Sequence, residues 1–119
     1  MIIRTQQMKI FEEAAEYRFI AFIERHLHAH HKDAVQALSA AELRAGVKAG
    51  LTKARDYGIQ SQSSLLMFVA LTFSVGREFD LQPRIHQILM DPAFDPDDRV
   101  AQLRFRAEAC DWAQAAGEQ

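Results

Sequence analysis

A chain of 119 residues is long enough to bury about two-thirds of its unfolded surface around one core, and short for two independent domains. An apolar fraction of 49% beside 25% charged residues, with five glycines and three prolines, excludes a disordered chain or a turn-rich β fold. The net charge of −2, with acids and bases interspersed, leaves no field of one sign to hold nucleic acid or an anionic membrane, so neither is expected as a partner.

From about Thr5 to His30 the apolar residues Met8, Phe11, Ala15, Phe19, Phe22 and Ile23, followed by His26, recur at helical spacing and predict one long amphipathic helix. Ile10 and Tyr17 lie on its back. Its end carries "HLHAHHK", residues 26–32, with His26 and His30 four apart. That spacing suits two metal-binding imidazoles on one helix face, but no glutamate follows His26 and no cysteine is near. A helix end whose histidines complement the dipole is the preferred reading, with metal binding and a pH-sensitive contact as the alternatives; no metal ligand is assigned.

Asp33 to Leu38 reads as a short helical turn. "SAAE" then places Ser39 as N-cap with Glu42 three residues on, a capping box opening a helix that ends by Gly58. Leu43, Val47, Leu51 and Ala54 form its apolar stripe, and Gly46 and Gly50 permit a close approach by another helix, internal or of a partner. "SQSS", Ser61 to Ser64, caps the next helix, whose apolar run "LLMFVALTFSV" spans eleven residues from Leu65 to Val75, whereas a membrane span needs about twenty. It is expected to be a buried central helix. After "GREFD", Asp80 or Gln82 caps a short helix through Pro83 to about Met90.

In "DPAFDPDD", Asp95 is the expected N-cap and Pro96 the first residue of a final helix running to about Ala115. The aspartates 91, 95, 97 and 98 lack the glycine and glutamate of a calcium loop, and capping accounts for them. Val100, Leu103, Ala107 and Cys110 form one stripe of that helix; Ala101, Phe105, Ala109 and Trp112 form a second on the opposite side. Either the helix is sandwiched inside the fold, or Phe105 and Trp112 anchor a partner. Self-association as a homodimer is a third way of covering that face. Cys110, the single cysteine, is expected as a buried structural thiol, and no residue set reads as catalytic. The opening "MIIRTQQMKI" has no signal-peptide run, which makes the cytoplasm the expected compartment.

These elements predict an all-α, single-domain bundle of about five helices around a central apolar helix at residues 62–75. The stretch "KARDYGIQSQSSLLMFVALTFSVGREFD", Lys53 to Asp80, and the opening "FEEAAEYRFIAFIERHL", Phe11 to Leu27, resemble small bacterial accessory proteins encoded beside type VI secretion effectors and PAAR spike-tip proteins. The resemblance implies a cytoplasmic, non-catalytic adaptor or co-chaperone without cofactor, whose partner is a secreted effector or that effector's chaperone. An immunity protein that neutralises a cognate toxin is the alternative. Phe105 and Trp112 are the first partner-binding candidates; Arg77, Phe79 and Asp80, inside the resembling stretch, are the second.

Overall fold

The computed structural model describes the backbone of residues 2–117 and the side chains of residues 12–117. Within them the chain forms seven α-helices and one 3₁₀ turn: α1 (Ile2–His30), α2 (Lys32–Val35), α3 (Ala40–Asp56), α4 (Gln62–Ser74), the turn Phe79–Leu81, α5 (Pro83–Leu89), α6 (Pro96–Arg106) and α7 (Ala109–Ala115). No strand occurs among the described residues. The fold is the all-α bundle that the patterning predicts.

The core is built on α4. Leu65, Phe68, Val69 and Ala70 are buried, and the Phe68 ring packs 4.9 Å from Phe79 and 5.8 Å from Tyr57. α3 lies along α4 with Leu43, Val47, Leu51 and Ala54 turned inward; α5 and α6 close the other side with Ile85, Ile88, Leu89, Val100 and Leu103. The glycine pair of α3 serves internal packing. A Cβ on Gly46 would stand 2.7 Å from Phe73 Cζ, and one on Gly50 would stand 3.2 Å from a Val69 methyl. Ser39 and Glu42 form the expected capping box.

α1 joins the core through Phe19, Ile20, Ile23 and Leu27. That seam is rotated from the expected stripe: Phe22 and Ala15 are exposed, and Met8 and Phe11 lie outside the residues with described side chains. α3 runs antiparallel to α1, tied by Glu24 to Arg44 at 2.7 Å and by Glu16 to Arg55 at 2.8 Å. Arg44 also lies over the Tyr17 ring and donates to its hydroxyl, so Tyr17 meets α3 although it stays 60% exposed. From Glu12 to Arg18 α1 is almost wholly exposed. At 1.5 Å per residue the helix is about 43 Å long. This explains a radius of gyration of 15.8 Å and a longest extent of 55 Å, against about 13.5 Å expected for the radius of a compact chain of this size. The shortest extent, 18 Å, corresponds to about two helix layers.

The final helix is two helices. Ala107 and Glu108 are extended (ψ 137° and 166°), and the chain restarts as α7, with the Glu108 N–H donating to Asp111 Oδ2 at 2.9 Å. A single helix would have left two opposite apolar faces. The break instead swings Trp112 against the core while Phe105 stays 76% exposed. It also removes Cys110 from the stripe of Val100 and Leu103. The thiol is exposed, correcting the expectation of a buried one.

Candidate partner-binding groove

α3 and α4 meet through small residues, so their backbones lie close and a furrow remains on the outer side. Ala45, Gly46, Ala49 and Gly50 of α3 form its floor, and Thr72 and Phe73 of α4 its far wall. Leu38, from the α2–α3 connection, closes one end; Lys53, Arg77 and Glu78 line the other. The cavity measures about 570 Å³. Its surface is largely apolar with charges at the margin, which suits an apolar segment of another molecule rather than a small polar metabolite.

Among the sequence candidates, Arg77 alone lines this groove; it is exposed. Phe79 is 0% exposed and fills the core beneath α4, so it offers no surface. Asp80, at 2%, is also interior. One of its oxygens accepts from Lys53 Nζ at 2.8 Å and the other from the Tyr57 hydroxyl at 2.7 Å; Lys53 in turn donates to the Arg77 carbonyl at 2.9 Å. These two corrections share a cause. The "FD" of the resembling stretch winds into a 3₁₀ turn that plugs the bundle, and its aspartate pins that turn to the end of α3. The same pin fixes the backbone at the groove's charged end.

The pin extends to one more polar side chain. His86 Nδ1 lies 3.2 Å from the Tyr57 oxygen, at the mouth of the network. Burial, then the Asp80 carboxylate as acceptor and charge, push the Tyr57 phenol far above its ordinary range, so it stays protonated as a donor. Both Asp80 oxygens are engaged by donors, so neither is left open toward solvent.

Phe105 and Trp112, the first candidates, sit on separate helices, and only Phe105 is strongly exposed. Trp112 packs against the core as part of the seat of α7. That seat depends on a residue that local sequence marks only as a cap. Gln82 is buried; its Oε1 caps Ile85 N at 2.8 Å, and its Nε2 donates to Asp111 at 3.1 Å and Gln114 at 2.9 Å. The groove floor was also missed. Ala45 and Ala49 carry no signal of their own, although the Gly46 and Gly50 spacing marked the face they share.

The aspartate run acts as staples. Asp97 Oδ1 accepts from the backbone N–H groups of Gln60 and Ser61 at 2.8 and 3.0 Å, and these bonds hold its carboxyl below the usual range. Asp91 accepts from Ala93 N and pairs with Arg106 at 2.7 Å. Asp95 occupies the N-cap position, but its side chain makes no cap bond. No group of three metal-binding side chains is placed to hold an ion among the described residues. No helix among them is long and apolar enough to cross a membrane.

No family model matches the chain, and neither a curated protein nor a solved structure was found to be similar to it.

Proposed function

We propose that this protein is a non-catalytic, cytoplasmic adaptor or co-chaperone that seats an amphipathic helix of a partner protein in the α3–α4 groove. The observation that carries the reading is the groove itself: Ala45 and Ala49 leave an open, shallow floor beside the glycines that α4 packs on, Phe73 and Leu38 provide apolar walls, and Arg77 with Glu78 sets orientation at one end. The pin at Asp80 keeps that end rigid without a client, which lowers the ordering cost of binding. The resemblance of Lys53–Asp80 to accessory proteins of type VI secretion supports a secreted effector, or its chaperone, as the client.

The test uses the untagged wild type and two variants, Ala49→Trp, which fills the exposed floor, and Arg77→Glu. A partner retained from the native lysate by the wild type, identified as an effector or effector chaperone, should be lost with Ala49→Trp and weakened with Arg77→Glu while helicity is unchanged. A deletion strain that stops secreting the effector but grows normally supports the adaptor. A strain poisoned by its own effector makes the protein an immunity protein instead and sinks this reading.

A further inference from the structure

The histidine segment plays no part in the groove's floor, yet it leads through the short α2 into the groove's end wall and shares the Phe73 side chain with it. His31, at φ −133° and ψ 41°, is the joint between α1 and α2. Around it the His26 ring lies 4.6 Å from His30 and 5.8 Å from His31, centroid to centroid, with tilted rather than convergent planes. Two turns later the chain reaches Leu38, which is held by its N–H to the Val35 carbonyl at 3.0 Å and forms one wall of the groove. Beside the rings is an open recess of about 590 Å³, lined by Ala29 to Ala34 and by Phe73 and Ser74 of α4. Phe73 therefore has the histidine recess on one side and the groove on the other.

We infer that His26, His30 and His31 form an acid-released latch on the groove wall, closed while the rings are neutral and opened when a second ring gains a proton. This inference deepens the groove reading and rests on it for its consequence, a client affinity that falls with pH. At the end of α1 the helix dipole favours one imidazolium. A cation on His26 and one on either His30 or His31, each within 6 Å of it, repel, and Lys32 of α2 adds another charge to the recess. Asp33 is the acid lining the recess, and no ion pair joins it to an imidazole among the described residues. α4 contributes only uncharged side chains there, while Arg25 and His28 bring further positive or titratable charge along α1. Burial first, then His30 and His31, holds His26 below its ordinary range. The unfolded joint thus binds protons more readily than the folded one. Its stability is full above about pH 6.5, the unperturbed histidine value, and is lost as the pH falls through the depressed folded value.

Amide hydrogen exchange of the full chain at about pH 7.5 and about pH 5.5, corrected for intrinsic rates, reads the latch without any client. Protection of Val35 to Leu38 should be lost at the lower pH while α6 keeps its protection. In parallel, an NMR titration should find His26 below the ordinary histidine value, and His30→Gln should raise it and blunt the loss of protection. Equal protection of Val35–Leu38 at both pH values, or a His26 that titrates at or above the ordinary value, overturns the latch. Either result leaves the groove reading to its own client test.

Discussion

Asp80 is the clearest case of a side chain whose role depends on its neighbours. A carboxylate 2% exposed is tolerated because Lys53 and Tyr57 each supply a donor, at 2.8 and 2.7 Å. Lys53 remains partly in water, so removing its partner costs less than in a sealed pair. Asp80→Ala should destabilise the fold by about 2–3 kcal/mol and Tyr57→Phe by about 1 kcal/mol, both checked by urea unfolding. Gly58 gives a second residue-scale prediction. At φ +89° it ends α3 in the left-handed region, and a Cβ would also stand 3.1 Å from Pro96. Gly58→Ala should cost about 1–2 kcal/mol or more in the same assay. Gly58 was legible as a helix stop. The pairing of Asp80 with Lys53, 27 positions away, was not, because sequence spacing says nothing about which loop returns to which helix end.

At the scale of elements, α4 begins where α6 begins, because Asp97 of α6 accepts the N–H groups of Gln60 and Ser61 just ahead of α4. Asp97→Ala should loosen both helix starts at once and lower stability by about 1 kcal/mol. The sign with pH follows from the lowered carboxyl: its contribution is present above the unfolded value near about 4 and is lost as pH falls below it, so wild type and variant should converge in acid. The boundary between α6 and α7 was not legible. Neither glycine nor proline marks it, and residues 96–115 read as one continuous helix. The break exists because α7 is held elsewhere, by Gln82 through Asp111 and Gln114, and those bonds outweigh the few helical hydrogen bonds given up. The two opposite apolar stripes were the visible symptom of that break, and both ways of covering them, a sandwiched helix or a partner face, assume one continuous helix.

For the whole molecule, the contrast that matters is between apolar side chains inside and outside the shared core. Phe68 touches both Phe79 and Tyr57 at the centre, and Phe68→Ala should cost about 3–5 kcal/mol, enough to unfold much of the population of a marginally stable domain. Phe105→Ser, at 76% exposure, should change stability by no more than about 0.5 kcal/mol, as read from thermal melts. If Phe105→Ser leaves the fold intact and also leaves client binding unchanged, the α6 surface carries no partner and the groove stands alone. α1 extends the molecule to 55 Å, and its stretch from Glu12 to Arg18 joins the bundle through exposed polar contacts, Glu16 with Arg55 and Tyr17 with Arg44, rather than through buried apolar surface.

The sequence by itself determined the local and periodic features: helix starts at Ser39, Ser61 and Pro96, the stop at Gly58, the apolar rows of α3 and α4, and hence an all-helical bundle. These follow from capping chemistry and a 3.6-residue period, which act within a few positions of chain. Only the tertiary structure decided which apolar row of α1 faces inward, that Phe79 and Asp80 plug the bundle, that Trp112 leaves Phe105 behind, and that small residues on α3 leave a groove beside Phe73. Each of these depends on contacts between residues far apart in the chain, where packing and burial of charge outweigh local preference.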